Sequence, residues 1–169
     1  MKKAIRTINE LKKAGLIVDY AIGGGIATIF YVEPFVTYDL DIFIVLPKKA
    51  ERRNLISLSP IFGYLQGKGF HWKGEHIMVE GIPVQFIPAD ELEEEAVRKA
   101  KQIKYEGVKT KVLTPEYLIS ILLRAGRKKD KEKVGKLLEQ TKIDRKKLKD
   151  ILQKHELKEK LSSYEGWWG

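Results

Sequence analysis

The first apolar positions of the chain recur at helical spacing. Ile5, Ile8 and Leu11 stand among charged residues, and Gly15 ends the pattern. An apolar residue at every third or fourth position places these side chains on one face of a helix. Residues 3–14 are therefore predicted to form an amphipathic surface helix.

Short apolar runs separated by glycines and prolines follow this helix. Residues 19–23 form a brief run that ends in three consecutive glycines, Gly23 to Gly25, and residues 26–32 are apolar again. This order predicts a strand, a glycine turn and a short helix. Residues 37–46 are rich in β-branched and aromatic side chains and end at Pro47, which is typical of a central strand.

The remaining segments continue the alternation of strands and helices. We expect helical residues in 49–67, interrupted at Pro60, and a pair of strands at 77–80 and 82–87 around Gly81. A helix at 92–104, capped by Asp90, and a strand at 108–113 should follow. From Pro115 onward we expect only helices. The predicted fold class is α/β (α+β), a mixed β-sheet flanked by helices and followed by a C-terminal helical bundle. The predicted domains are an α/β core, 1–113, and a basic helical region, 114–169.

The composition excludes several classes of protein. The chain has 169 residues, 43% of them hydrophobic, and no cysteine. Disulfides, thiolate metal sites and cysteine nucleophiles are therefore excluded, and the apolar content is too high for a disordered chain. Because no apolar run is long enough to span a bilayer, we expect a soluble, cytoplasmic protein with no membrane partner.

Positive charge is concentrated in the C-terminal part of the chain. Residues 1–95 carry a net charge of −2, whereas residues 96–169 carry +11. Such an asymmetry is typical of a surface that binds a polyanion such as tRNA, another nucleic acid or nucleotide phosphates. The alternative is a heat-adapted protein from a thermophile, whose many lysines are solvated charges on helices.

Two aspartates interrupt the most strand-like segment. Asp39 and Asp41 are spaced i and i+2, so on a strand their side chains lie on one face, roughly 6–7 Å apart at the backbone. A divalent cation would remove their repulsion, and oxygen ligands of this kind suit Mg²⁺ or Mn²⁺ that also holds phosphates. The alternative is an edge strand with a solvated polar face, but the apolar neighbours argue against an edge.

The glycine run is a second candidate site. Gly23, Gly24 and Gly25 end a predicted strand and begin a predicted helix, where backbone N–H groups can approach a phosphate. The alternative is a tight turn that permits close packing, since the spacing matches neither the dinucleotide nor the P-loop motif.

In combination, these motifs resemble a known family. Gly24 and Gly25, thirteen further residues, and then Asp39-Leu40-Asp41, with Thr37 just before the pair, are similar to the signature of the nucleotidyltransferase superfamily that includes DNA polymerase β and CCA-adding enzymes. The chain also resembles the small, AbiEii toxin-like branch at residues 21–27, 37–43, 114–118 and 126–130. Altogether the resemblance spans roughly residues 18–140.

The resemblance implies a nucleotidyltransferase fold and a metal-dependent reaction. In such families the glycines hold the triphosphate of an NTP, the paired aspartates bind two metal ions, and an NMP group moves to a hydroxyl acceptor. It makes Asp39 and Asp41 the predicted catalytic and metal-binding residues, with Mg²⁺ or Mn²⁺ as the cofactor. Gly23 to Gly25 and Thr37 are the predicted nucleotide-binding residues.

The third carboxylate of the family signature is replaced in this chain. Its matching place is Gln85, which the resemblance makes a metal ligand that adds no charge and is a poor base. Glu80 is the nearest substitute, provided that the hairpin register turns it to the same face. The alternative for Gln85 is a strand residue with a solvent-facing amide.

A basic motif follows the predicted α/β core. Residues 126–130 resemble a helical motif of the family, which implies that Arg127 and Lys129 bind the triphosphate while Asp130 braces Arg127. A glycine followed by basic residues is also found at ordinary helix ends. Arg124 is the candidate to replace a lysine that related enzymes carry on the preceding helix.

The histidines and the C-terminal aromatic residues are weaker candidates. His71, His76 and His155 lack a set of metal-ligand partners and are predicted to be ordinary surface residues. Trp167 and Trp168 are suited to stacking on nucleic-acid bases, but packing on their own domain or on a partner chain is the favoured interpretation.

Two functions remain open from the sequence. The first is transfer of NMP from an NTP to a hydroxyl on RNA such as tRNA, on a protein or on a small molecule, which is compatible with a toxin controlled by an antitoxin partner. The second is a catalytically impaired protein of the same fold that binds nucleotide, nucleic acid or a partner protein. Gln85 favours the second function, whereas the retained Asp39 and Asp41 favour the first.

Overall fold

A mixed β-sheet occupies the centre of the molecule. The structure, a computed structural model, describes residues 1–48, 51–52 and 55–164. Its strands are β1 (Asp19–Gly23), β2 (Leu40–Val45), β3 (Glu51–Arg52), β4 (Leu55–Ile56), β5 (His71–Lys73), β6 (His76–Val79), β7 (Ile82–Pro88), β8 (Lys101–Tyr105) and β9 (Val108–Val112). Seven of them form one sheet in the order β5-β6-β7-β2-β1-β9-β8, and β3 pairs with β4.

Helices pack against this sheet and follow it in the chain. They are α1 (Lys2–Lys13), α2 (Gly24–Ile29), α3 (Ser59–Gly67), α4 (Glu91–Arg98), α5 (Pro115–Ala125), α6 (Lys128–Gln140), α7 (Arg145–Lys154) and a 3₁₀ helix (Lys158–Tyr164). Helix α1 contacts β9, while α2 and α4 contact β1 and β2. The predicted mixed sheet with flanking helices and helical C-terminal part is confirmed. Among the described residues, no helix is long and apolar enough to cross a membrane.

The central position of β2 determines where the aspartates lie. Strand β2 runs antiparallel to β1 and parallel to β7, so it has a hydrogen-bonded neighbour on each side. The prediction of a central strand is therefore confirmed, although regular pairing begins at Leu40 instead of residue 37. Asp39 consequently precedes the strand, and Asp41 lies within it.

Helix α1 packs through the apolar face that the spacing predicts. Ile5, Ile8 and Leu11 are fully buried. Burial of each such side chain contributes about 1.5–3 kcal/mol. The predicted amphipathic helix is confirmed to within a residue at either end.

The predicted helix at 92–104 is wrong in its second half. Helix α4 ends at Arg98, and residues 101–105 form the edge strand β8 instead. Strand β8 pairs with β9 through a two-residue turn of Glu106 and Gly107, both with positive φ. Turns of this kind match the twist of antiparallel strands, so the hairpin overrides the local helical preference.

The segment around Pro60 also differs from its prediction. Pro60 lies in the first turn of α3 and does not interrupt a helix, because a residue in that turn needs no N–H donor. The backbones of β3 and β4 pair just before it. Residues 49, 50, 53 and 54, which the predicted helix includes, lie outside the described residues.

Glu95 connects the C-terminal helices to the rest of the molecule. This side chain of α4, one-tenth exposed, accepts a 2.9 Å hydrogen bond from Tyr117 Oη, lies 3.2 Å from His155 Nε2 and pairs with Lys154. Burial would raise the pKa of Glu95, but the bonds from Lys154, Tyr117 and His155 outweigh burial and lower it to about 2. Helices α4, α5 and α7 thus meet at one carboxylate.

We predict that Glu95→Gln destabilises the fold at neutral pH by roughly 1.5–3 kcal/mol, the range for hydrogen bonds to charged groups. Because the native pKa is depressed, the stabilisation is complete above the ordinary glutamate pKa of 4.5 and is lost as the pH falls to about 2. Urea titrations of the two proteins from pH 7 to pH 2 measure the difference.

The control is Glu94→Gln, because Glu94 is exposed on the same helix. It should change the free energy of unfolding little at any pH. A Glu95→Gln difference that stays constant down to pH 2 would contradict the electrostatic interpretation.

Candidate active site

The antiparallel pairing of β1 and β2 brings the glycine turn to the aspartates. Gly23 lies opposite Asp41 in the register, so α2 begins beside that carboxylate. Gly24 has φ +59°, and a Cβ there would lie 2.0 Å from Asp41 Oδ2. Only glycine fits this position without displacing the carboxylate.

The two flanking glycines are also required by close packing. A Cβ on Gly25 would lie 2.5 Å from Thr37 Oγ1, and one on Gly23 would lie 2.2 Å from an edge carbon of the Phe43 ring. The run therefore permits the first turn of α2 to lie directly on β2 and on the segment before it. Helix α2 has only six residues, so we attribute the glycines to this close approach and not to a helix dipole.

The two carboxylates lie in different surroundings. The Asp39 side chain is 46% exposed, whereas burial is the main influence on the Asp41 carboxylate. Burial raises the pKa of Asp41, and the negative charge of Asp39 raises it further. Lys129, Arg127 and His76 oppose this shift through their charges. An additional cation at the pair would relieve the remaining repulsion.

Helix α6 supplies the basic residues of the site. Arg127 precedes α6, and its Nε and Nη2 donate hydrogen bonds of 2.7 and 3.2 Å to Asp130. Asp130 is only 1% exposed, while the Arg127 side chain is 62% exposed. The hydrogen bond to Asp130 raises the pKa of Arg127, with a further contribution from Asp41. The guanidinium is thus held at one end and remains accessible to an anion.

Lys133 is a site residue that sequence reasoning missed. Its Cε lies 3.6 Å from the place of a Gly25 Cβ, and burial followed by the charges of Lys129 and Arg127 lowers its pKa against the opposing charge of Asp130. The available signal was the spacing of four between Lys129 and Lys133, which places both on one helix face.

His76 is a second residue whose place the sequence did not predict. Its Nε2 lies 3.4 Å from Asp39 Oδ2. His76 begins β6, and strand β7 lies between β6 and β2 in the sheet. The sequence predicted an ordinary surface histidine, because a contact between two residues that are 37 positions apart in the chain leaves no local pattern.

Gln85 lies beside Asp41 in the sheet. The parallel register of β2 and β7 pairs these two residues directly, and the Gln85 side chain is exposed. Glu80, the alternative carboxylate, lies in the turn between β6 and β7 with φ 51°, outside the ladder. The structure thus brings Gln85, and not Glu80, next to Asp41 in the sheet.

The side-chain oxygens of Asp39, Asp41 and Gln85 are suited to a divalent cation that a phosphate ligand also binds. Within the described ranges, no group of three or more His, Cys, Asp or Glu side chains is placed to hold a metal ion. Mg²⁺ commonly takes one or two carboxylates and completes its shell with water and substrate phosphates. Asp39 and Asp41, with the amide oxygen of Gln85, are consistent with that mode of binding.

Other candidates lie outside this cluster. Arg124 pairs with Asp90 and Glu93 at the start of α4, so its guanidinium already connects two helices. His155 belongs to the Glu95 contact. Tyr164 is buried and donates a 3.3 Å hydrogen bond to the Lys131 carbonyl. Trp167 and Trp168 lie outside the described residues.

Solved structures of nucleotidyltransferase-like proteins share this fold. An antigenic nucleotidyltransferase-like protein from Paracoccidioides brasiliensis has a TM-score of 0.52 and 18% identity, with 95% of this chain and 88% of that chain covered. The antibiotic-resistance factor ANT(2'')-Ia has a TM-score of 0.54 and 12% identity, with 98% and 96% covered. No family model and no curated protein matches the sequence. The likeness establishes the nucleotidyltransferase fold.

We predict that Gly24→Ala destabilises the protein by roughly 2–4 kcal/mol. The alanine Cβ would overlap the Asp41 carboxylate, and the left-handed backbone would be strained. Urea denaturation in EDTA measures this loss without any contribution from metal binding.

The matched control is Gly63→Ala. Gly63 is exposed in the interior of α3, and a Cβ there meets no atom within 4 Å. This variant should gain about 0.5–1 kcal/mol from reduced chain entropy. Equal stability of the Gly24→Ala variant and the original protein would show that the glycine turn does not need its close approach to Asp41.

Proposed function

We propose that this chain is a metal-dependent nucleotidyltransferase that moves an NMP group from an NTP to a hydroxyl acceptor. The observation that carries the proposal is the packing of Gly24 on Asp41 beside Arg127 and Lys129. It gathers neighbouring carboxylates and cationic side chains at one point. That combination suits a ligand with both phosphates and a metal ion.

The proposed reaction is an in-line displacement at the α-phosphorus. The acceptor oxygen bonds to that phosphorus, its proton is lost to water, the bond to the bridging oxygen of the β-phosphate breaks, and pyrophosphate leaves. In the proposal, Arg127 and Lys129 bind the triphosphate and stabilise the charge on the leaving group. Gly23 to Gly25 and Thr37 contact the nucleotide at the start of α2.

The carboxylates have a binding role in this proposal. Asp39, Asp41 and the amide oxygen of Gln85 would hold Mg²⁺ or Mn²⁺, which supplies charge neutralisation and lowers the pKa of a bound hydroxyl. The raised pKa of Asp41 supports this role, because burial and the charge of Asp39 disfavour its ionised form without a counter-ion.

The proposal extends to the finer resemblance of the motifs. On that basis we infer a relationship to the AbiEii-like toxins, with an acceptor hydroxyl on RNA such as tRNA or on a protein, and an antitoxin as a possible partner. The net charge of +11 in residues 96–169 supports an anionic acceptor.

A second candidate function rests on Gln85. The neutral amide beside Asp41 favours a protein that binds nucleotide, nucleic acid or a partner protein and has lost turnover. The two candidates differ in one observable, the transfer of label from the α-phosphate.

We predict that the protein, incubated with each α-³²P-NTP, Mg²⁺ or Mn²⁺ and total tRNA, transfers label to RNA or to protein. The label should fall at least a hundredfold in Asp39→Asn, because one oxygen ligand loses its charge. Gel separation of RNA from protein identifies the acceptor class.

Asp150→Asn provides the matched control, since Asp150 is exposed on α7. It should transfer label as the original protein does. Absence of label with all four nucleotides, together with Mg-NTP binding in calorimetry, would favour the second candidate. Undiminished label in Asp39→Asn would contradict the proposed site.

We further predict that Gln85→Glu raises the turnover number at least tenfold. A carboxylate next to Asp41 would add charge to the metal site and a base for the acceptor hydroxyl. Initial rates of label transfer measure the gain. Gln102→Glu, the same change on the exposed strand β8, is the control. No gain in Gln85→Glu would show that the missing carboxylate does not limit the reaction.

A further inference from the structure

A cleft adjoins the candidate active site between residues 35–39 and helix α6. It has a volume of about 280 Å³. Thr37 and Asp39 are among its lining residues, so it adjoins the proposed reaction centre. The roles proposed above use Thr37, Asp39 and Lys129, and they leave the part of the cleft lined by Val36, Tyr38 and Lys136 without an occupant.

One wall of the cleft is apolar and exposed. Val36 is 75% exposed and Tyr38 is 78% exposed, in a chain whose other large apolar side chains are mostly buried. Both residues line the cleft and leave most of their side-chain surface accessible. An aromatic ring that is accessible in this way can stack on any nucleic-acid base.

The opposite wall is a row of lysines. Lys129, Lys133 and Lys136 follow one another at spacings of four and three along α6 and line the cleft. They outnumber the one carboxylate of this helix that lines it, Glu132. None of them forms a salt bridge with a carboxylate of the described residues. Lys136 Nζ lies 4.5 Å from the centre of the Phe35 ring, which holds its charge at the rim of the cleft.

We propose that this cleft binds the end of a single-stranded nucleic acid that carries the acceptor hydroxyl. The terminal bases stack on Tyr38, and the backbone phosphates contact Lys133 and Lys136. The inference rests on the proposed transfer function for the identity of the hydroxyl as acceptor. Binding of the strand itself is a property of the cleft alone.

The length of the lysine row favours a strand over the base of the NTP. Lys136 is seven residues beyond Lys129, which is about 10 Å along a helix axis. The charges of Arg127 and Lys129 lower the pKa of Asp41. These two cations are the ones assigned to the triphosphate in the proposed function. Cations one and two turns further along have phosphates to contact only when the ligand continues past the reaction centre, as a strand does.

The test is binding of a 10-nucleotide single-stranded RNA, labelled with fluorescein at its 5′ end, to the full chain in EDTA without NTP. We expect Tyr38→Ala to raise the Kd about tenfold and Tyr38→Phe to leave it within twofold, because stacking needs the ring and not the hydroxyl. Fluorescence anisotropy measures the Kd. Tyr38 is exposed, and equal thermal unfolding of the variants confirms an intact fold.

The salt dependence tests the lysine row. For Lys136→Gln the slope of log Kd against log salt concentration should decrease by about 0.7, the value for one phosphate contact on a single strand. Lys131→Gln is the control, because Lys131 is exposed on the same helix but two residues from Lys129 and Lys133, on another face. Equal slope changes in both variants would indicate diffuse charge and overturn the proposal.

A second arm separates the strand from the nucleotide. Calorimetric binding of Mg-NTP should be unchanged in Tyr38→Ala. If Tyr38→Ala weakens NTP binding and leaves RNA binding unchanged, the cleft holds the base of the NTP, and the proposal is overturned. Because the RNA assay contains neither metal nor NTP, a failure of the transferase proposal does not affect its result.

Discussion

The close contact between Gly24 and the Asp41 carboxylate is the constraint on which the candidate site depends. It requires a residue without a side chain, in a left-handed backbone, at the junction of β1 and α2. It also requires the antiparallel register that places Gly23 opposite Asp41. Because β1 and β2 lie in the middle of the sheet, the two elements that form the contact are held by hydrogen bonds on both sides. A residue on such a strand is positioned more precisely than one on a loop.

The charges of the site balance one another across two parts of the chain. Burial and the charge of Asp39 raise the pKa of Asp41, and two of the cations that oppose the shift, Arg127 and Lys129, come from the start of α6. The buried Asp130 accepts hydrogen bonds from the Arg127 side chain and backbone. The same acidic residue thus caps the N-terminus of α6 and orients the Arg127 side chain. Lys133 and Lys136 then extend the positive charge away from the aspartates, along a cleft whose other wall carries Tyr38.

The spacing of apolar residues predicted much of the fold, but it failed where the pairing of strands determined the structure. The apolar spacing of α1 and the largely apolar, β-branched character of β2 identified both elements, since each buries a face or both faces in the core. Residues 101–105 form a strand because β9 is available on the other side of a two-residue turn, and a reading of single segments cannot include that partner. Likewise, His76 reaches Asp39 and Gln85 lies beside Asp41 only through the order of β6, β7 and β2.

The sequence by itself determined the chemistry that the chain has available. It contains paired aspartates in a largely apolar segment, a glycine run, a basic motif and Gln85 in a predicted strand, and these are properties of residue types and spacing. The tertiary structure alone decided which of them meet. Burial and charge act through space, so the raised pKa of Asp41, the enclosure of Lys133 and the exposure of Tyr38 depend on elements that are distant in the chain. Contacts between such elements leave no periodicity in the sequence, and only the folded sheet and helices determine them.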